Sequence, residues 1–394
     1  MYLTKEEEAM LNGEAGEVKE RLFRLLVRLG DIYGAERMIP VGSVQVAGVS
    51  YKSIGEPGTA FLEDMAAKDA KAQVLTFLNP AGMDLEDYEE LGFPEDFAKN
   101  QLRIINAFKQ MGIVITSTCT PYLAGNLPRF REHIAWSESS AVSFSNSVIG
   151  ARTNREGGPS ALAASICGRT PEYGLHLWEN RQPSVKITVD AKLSYTSDYG
   201  ALGYLVGKKV KNKIPFFTGI NDANTDHLKA LGAAMAASGA VALYHVDELT
   251  PESDLVKKDS IESITVEQKD IDETYETLTQ GIKPDIVILG CPHASLREIA
   301  TLAEKVEGKH LKKPVWICTS RMMKEAADRM GFSQTIKDAG GHVVADTCMV
   351  VSPIEQMGYK QTGVNSGKAA NYLPGFCKQK VVFANIDKLI QEVS

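Results

Sequence analysis

Four of the six cysteines stand at or just past the end of a short apolar run. Cys119 follows Ile113-Val114-Ile115, Cys291 follows Ile286-Val287-Ile288-Leu289, Cys318 follows Val315-Trp316-Ile317, and Cys348 follows Val343-Val344-Ala345. Runs of this length bounded by Gly, Pro or Ser/Thr predict buried strands. The crevice beyond the carboxyl ends of such strands is where open α/β sheets bind ligands. Several thiols delivered to that edge point to a metal or cluster site. The chain has no C-x-x-C, which sets aside zinc ribbons, thioredoxin-like motifs and the compact ferredoxin patterns. Taken singly, each thiol reads more readily as a small buried hydrophobe. Four at equivalent positions favour function without saying which of them converge.

Three further groups carry usable chemistry. Ser143-Phe144-Ser145-Asn146-Ser147, followed by Arg152-Thr153-Asn154, supplies the hydroxyls, amides and guanidinium that hold a small polar substrate. Its competitor is an ordinary Ser/Asn-rich loop. Ser366-Gly367-Lys368-Ala369 resembles the tail of a phosphate-binding loop, but Ala369 stands where a magnesium-binding hydroxyl belongs, so a nucleoside triphosphatase is not expected. An anion cradle at a helix start remains. Gly58-Thr59 opens a predicted helix from about residue 60 to 71, with Thr59 as its cap and a second place for an anion. His293, in Gly290-Cys291-Pro292-His293, is balanced between a ligand or acid–base role and a plain loop hydrogen bond.

These residues need a scaffold. Helices are predicted over 17–33, where Val18, Leu22, Leu25, Leu26 and Leu29 form one stripe, and over 95–110, 161–166, 226–238, 296–306 and 321–330. Strands are predicted at 74–78, 113–116, 241–245, 285–289, 314–318 and 342–345, with a β-rich stretch over 39–49. The strand–helix alternation after residue 285 predicts a parallel, doubly wound unit. The acid-rich run 247–273 reads as a surface connection. The expected regions are 1–72, 73–245 and 246–394.

Composition excludes several classes. Of the 394 residues 44% are apolar and 24% charged, with 50 acidic against 43 basic side chains and a net charge of -7. That profile is globular and carries no electrostatic footprint for nucleic acid or an anionic membrane. No stretch is long and apolar enough to span a bilayer, and the polar start is unlike an export signal. A cytoplasmic protein with reduced thiols is expected.

Particular segments go further. Gly55-Glu56-Pro57-Gly58-Thr59, Thr118-Cys119-Thr120-Pro121-Tyr122, Glu138-Ser139-Ser140-Ala141 through Asn146 to Asn154, Gly290-Cys291-Pro292-His293, Asp346-Thr347-Cys348 and Ser366-Gly367-Lys368-Ala369-Ala370 resemble, in order, the large subunit of the aconitase X family. The resemblance implies an aconitase-like, multi-domain α/β fold with parallel and mixed sheets flanked by helices. It implies a hydro-lyase with an iron–sulfur cluster, acting on 5-phosphomevalonate to give trans-anhydromevalonate 5-phosphate in an archaeal mevalonate route, or on cis-3-hydroxy-L-proline. A Lys/Glu-rich composition poor in Gln tilts the expectation to the former.

On the family pattern Cys119, Cys291 and Cys348 are ligands of a 4Fe-4S cluster with one iron lacking a cysteine. Cys377 is held in reserve, and Cys167 and Cys318 are structural. Ser145, Asn146 and Arg152 are expected at the carboxylate and hydroxyl end of the substrate, and Gly58, Thr59, Ser366 and Lys368 at its other anionic group. The general base is expected on a separate small subunit, in one heterodimer or a dimer of them. The competing class is a metal-free α/β binding protein with inert cysteines.

Overall fold

The computed structural model describes residues 1–258 and 261–394. Its third part is a five-stranded parallel sheet, in the order Gly341–Ala345, Val315–Thr319, Ile286–Leu289, Gln361–Val364, Lys380–Phe383. The continuous apolar runs of its strands follow from burial on both faces. Val287 and Leu289 pack beneath helices Leu296–Val306 and Ile386–Val393, whereas Ile286 and Ile288 face the core of the rest of the molecule. The order reverses between Ile286–Leu289 and Gln361–Val364, which makes this the doubly wound unit expected. Cys291 and Ser366 each stand two residues past one of these two strands.

A four-stranded parallel sheet, His245–Val246, Pro215–Thr218, Val185–Asp190, Glu262–Glu267, forms the middle of the molecule. Helices Thr196–Val210 and Thr225–Gly239 pack closely against each other beside it; the second starts on Asn224, whose side chain accepts the Asp226 and His227 N–H groups. The first part carries a three-stranded parallel sheet, Leu75–Leu78, Ser43–Val46, Ala135–Trp136, and an antiparallel pair of Met38–Pro40 with Arg169–Pro171. Helices Glu17–Tyr33, Tyr51–Ala67, Glu95–Gln110 and Gly158–Cys167 enclose this layer; Leu22 and Leu26 of the predicted stripe are buried together with Phe23, whereas Leu25 is exposed.

Five expectations differ from the structure, the first being the strand expected at 241–245, which is confined to His245–Val246. Divisions after residues 72 and 245 would separate hydrogen-bonded partners: Ser43–Val46 pairs with Leu75–Leu78, and Val185–Asp190 with Glu262–Glu267. The acid-rich run is therefore more than a connection. It contains an edge strand whose outer side is solvated, which its charges allow; Asp259 and Ser260 of that run lie outside the described residues. Residues 113–116 make a single bridge, Val114 to Phe77, before Ser117 turns the chain at a positive φ of 42°. Finally, the helix containing Gly58 and Thr59 starts earlier, at Ser50, and runs through a break at Gly55, which takes φ 57° and ψ -165°. Thr59 does not cap it. Its hydroxyl donates to the Gly55 carbonyl (2.9 Å) inside the joint.

Candidate active site

The Cys119 loop hangs from the first sheet. Thr118 N–H donates to the Leu78 carbonyl (2.9 Å), and buried Gln45, on the central strand, donates from Nε2 to the Thr118 carbonyl (2.9 Å). Gln45 Oε1 also accepts the Glu138 N–H (3.4 Å), so one side chain ties the Cys119 loop to the start of helix Ser139–Phe144. Cys291 follows Gly290, which takes φ 82° where a Cβ would lie 2.1 Å from the Cys318 carbonyl oxygen. Only glycine lets the chain leave the sheet there. The Cys291–Pro292 bond is cis.

The Cys348 loop is held by the first part of the molecule. Ala81 N–H donates to the Asp346 carbonyl (2.8 Å), and Cys348 N–H to the Ala81 carbonyl (3.1 Å). Asp84, fully buried, accepts the Ala345 N–H (2.8 Å) and the Arg321 guanidinium (2.5 Å), which also reaches Asp346 (2.6 Å).

His293 knits the three loops together. Its N–H donates to Cys119 Sγ (3.2 Å), Nδ1 meets Thr118 Oγ1 (3.0 Å), and Nε2 meets the Thr347 carbonyl (2.8 Å). Burial drops its pKa to about 4, so the ring is neutral and its contacts fix one tautomer. His293 is thus a linchpin of the loops, which settles the balance left by its sequence context.

Lys368 closes the site. It is buried at the first turn of helix Gly367–Cys377, where Ser366 Oγ accepts the Ala369 N–H (3.1 Å). Its ammonium pairs with Glu138 and donates to Ser140 Oγ (3.1 Å). Burial raises the Glu138 carboxyl, but Lys368 and the Ser140 and Ala141 donors outweigh it and hold the pKa to about 2. Burial lowers the Lys368 pKa; Glu138, Cys291 and Cys119 more than reverse this, so the lysine stays charged. Burial pushes the Cys291 thiol up to about 12 and raises Cys348 and Cys119, while Lys368 pulls each of them down. Within electrostatic reach of one another, then, are three thiols, one cation and one carboxylate. Ser366 also stands close to Cys291.

The remaining candidates lie otherwise. Asn146 is satisfied within its own surroundings: Nδ2 donates to the Thr153 and Ala242 carbonyls (2.9 and 3.0 Å), and Oδ1 accepts from Thr153 N–H and Arg181 (3.0 and 3.2 Å). Ser145 Oγ donates to the Val142 carbonyl (3.1 Å), and Arg152 donates to the His176 carbonyl (3.1 Å). This segment is a buried turn braced by the Arg181–Glu252 ion pair (2.8 Å), with its polar groups turned inward. Gly58 lines an apolar cavity of about 120 Å³ with Phe61, Phe108 and Leu162. The structure thus gathers Ser366 and Lys368 with the thiols and gives Thr59, Ser145 and Asn146 protein partners of their own, while Arg152 Nε is buried without a partner among the described residues.

Cys318 lies within its strand in the core, behind the three loop thiols. Cys377 Sγ is 3.1 Å from the Val350 carbonyl and 3.4 Å from Lys52 Nζ, and Cys167 sits against helix Glu17–Tyr33 at the Lys19 carbonyl. Glu138, Ser140 and Gln45 had no assignment from sequence. For Glu138 there was a signal, an acid directly preceding Ser139-Ser140. For Gln45, inside an apolar strand, there was none.

The thiols come from two regions, and this matches how known families divide the chain. Residues 1–179 match the aconitase X first domain, 183–276 the second and 284–394 the third. The chain belongs to the aconitase X family. Its likeness to aconitase X of Thermococcus kodakaraensis, solved in a holo-form, covers 100% of both chains with a TM-score of 0.94 at 48% identity. It is 57% identical to the phosphomevalonate dehydratase large subunit of Methanocaldococcus jannaschii, over 99% of this chain and 100% of that one. Against the cis-3-hydroxy-L-proline dehydratase of Pseudomonas aeruginosa identity is 33%, over 96% of this chain and 68% of that protein. In aconitase X terms, Cys119 and Glu138 come from the first domain, Cys291, Cys348 and Lys368 from the third, and the second contributes no thiol.

The donor set suits an iron–sulfur cluster. Among the described residues no three His, Cys, Asp or Glu side chains are gathered tightly enough for a single metal ion. Cys119, Cys291 and Cys348 instead stand on three separate loops, all within electrostatic reach of Lys368. Tyr122 OH, near enough to Cys119 to feel its charge, is buried without a partner among the described residues, as is Ser117 Oγ two residues before that thiol. Unpaired buried donors are costly unless an acceptor fills the space they flank.

Proposed function

We propose that this chain is the large, cluster-binding subunit of a hydro-lyase that dehydrates (R)-5-phosphomevalonate to trans-anhydromevalonate 5-phosphate. The observation that carries the reading is its 48–57% identity, over essentially full length, to large subunits of phosphomevalonate dehydratases, well above its identity to the hydroxyproline enzyme. Cys119, Cys291 and Cys348 would hold a 4Fe-4S cluster. When bound, such a cluster supplies a Lewis-acidic iron with an open position for a carboxylate and a hydroxyl.

The chain's own residues supply the rest of the electrostatics. Lys368 has three N–H donors, two of them engaged by Glu138 and Ser140, so the third is available to an anionic substrate group. Glu138 keeps that ammonium charged and fixed, which removes the cost of ordering it at each binding event. The Ser366–Lys368 helix start adds N–H groups that favour negative charge. The lysine and the helix start act on the anion; the proton removed from C2 goes to a base that we assign to a separate small subunit. Free cysteines throughout are consistent with a reducing, cytoplasmic location. No helix among the described residues is long and apolar enough to cross a membrane.

The test is anaerobic co-expression with a small subunit, followed by iron analysis and parallel assays of 5-phosphomevalonate and cis-3-hydroxy-L-proline. Iron bound with turnover of the phosphorylated acid is expected. Turnover of the proline alone would move the chain to the other branch of the family, and absence of iron would remove the cluster reading.

A further inference from the structure

The second domain brings no thiol to the site, yet one of its side chains reaches the loop that carries Cys291. Lys229, on helix Thr225–Gly239, is 2% exposed, and its ammonium spends all three donors. One goes to Asp226 on its own helix (3.0 Å), one to Glu298 on helix Leu296–Val306 of the third domain, and one to the backbone carbonyl of His293 (3.2 Å). Both carboxylates are tied in turn to the same loop. Asp226 accepts the Ser295 hydroxyl (2.9 Å), and Glu298 accepts the Ser295 N–H (3.0 Å).

His293 is also the residue whose N–H meets Cys119 Sγ and whose ring spans Thr118 and Thr347. Its carbonyl is held from the second domain and its N–H and ring from the other two. We infer that Lys229 is a positioning residue for the cysteine site, clamping the Cys291–Ser295 loop so that the thiols of the first and third domains keep a common spacing. The second domain shapes the site through this contact rather than by donating a ligand. Helix Thr225–Gly239 is a firm base for it: Leu231 and Ala234 lie directly against Gly203 of the neighbouring helix, leaving no room for a Cβ there.

The inference rests on the reading that the thiols hold an iron–sulfur cluster, and the test separates the two. Removing Lys229 alone would strand two buried carboxylates and risk unfolding. The informative variants are therefore Lys229→Met combined with Glu298→Gln, which leaves one carboxylate, Asp226, still bonded to the Ser295 hydroxyl, and the milder Ser295→Ala. Each is prepared anaerobically with the small subunit and compared with the parent in far-UV circular dichroism, visible and EPR spectra, and the rate of iron loss to a chelator. The double variant is expected to keep the parental circular dichroism, lose iron at least about 10-fold faster and show an altered EPR signal. Ser295→Ala should lie between, at about 3-fold. Parental iron-loss rates and spectra in a folded double variant would overturn the inference. If the double variant does not fold, parental behaviour of Ser295→Ala overturns it instead, and accelerated loss supports it. A parent that binds no iron would instead refute the cluster reading, leaving no cluster site for Lys229 to position.

Discussion

At the scale of single residues the site is governed by one buried ion pair. Lys368 and Glu138 hold each other charged, and each is costly alone. Lys368→Met should destabilise the fold by about 3 kcal/mol, read as a lower urea midpoint. Adding Glu138→Leu should recover most of that stability while turnover stays at least about 100-fold down. Recovery of turnover together with stability would show that the lysine serves the fold only. The cysteines offer a second contrast. Cys119→Ser, Cys291→Ser and Cys348→Ser should each bring iron content close to zero, whereas Cys167→Ser, set against helix Glu17–Tyr33, should retain it all. Full iron in all three loop variants would break the ligand assignment. Residue types and flanking motifs marked these thiols and Lys368. They could not mark Gln45, because a buried glutamine is explained only by the Thr118 and Glu138 backbone groups that the fold brings to it.

At the scale of elements the strand ends decide where each thiol points. Gly290→Ala would drive a Cβ into the Cys318 carbonyl and must move the Cys291 loop. We expect loss of iron binding together with at least about 2 kcal/mol of stability, measured by iron analysis and denaturant unfolding. The early helix start gives the converse case. Ser50 caps helix Tyr51–Ala67 through the Lys52 N–H and donates to the Val351 carbonyl (2.7 Å), so Ser50→Ala should cost about 1–2 kcal/mol. Thr59→Val loses only the bond to Gly55 and should leave turnover within about 2-fold of the parent. Helices with strong stripes, Glu17–Tyr33, Glu95–Gln110 and Leu296–Val306, are legible to the residue because periodic burial writes itself into sequence. Short strands are not. Ile113 to Thr116 has the composition of a strand but meets a neighbour only at Val114, and Glu262–Glu267 has the composition of a solvated loop because one of its sides faces water.

At the scale of the whole molecule, burying polar groups at domain contacts makes stability depend on pH. His245 is buried with Nε2 against the Arg181 carbonyl (2.9 Å), and burial lowers its pKa to about 4. The folded chain therefore resists a proton that the unfolded chain accepts below about pH 6.5. The stability this residue contributes is complete above that value and is lost as pH falls toward 4, by about 1.4 kcal/mol per pH unit. Buried Glu156 and Asp346, whose pKa values burial raises, act with the opposite sign, so the check is a difference. Stability plotted from pH 7 to 4.5 should fall less steeply in His245→Gln than in the parent, by about that slope; parallel curves would count against it. The sequence by itself determined the α/β alternation and the loops that bear thiols, because these depend on residue type and local period, and the likeness of its motifs to the aconitase X family supplied the class of chemistry. Tertiary structure alone decided that Glu138 faces Lys368, that the Ser145–Arg152 segment turns inward, and that His293 is gripped by all three domains. Those outcomes depend on groups far apart in the chain meeting in a low-dielectric interior, where each buried charge or amide must find a partner that no local pattern names.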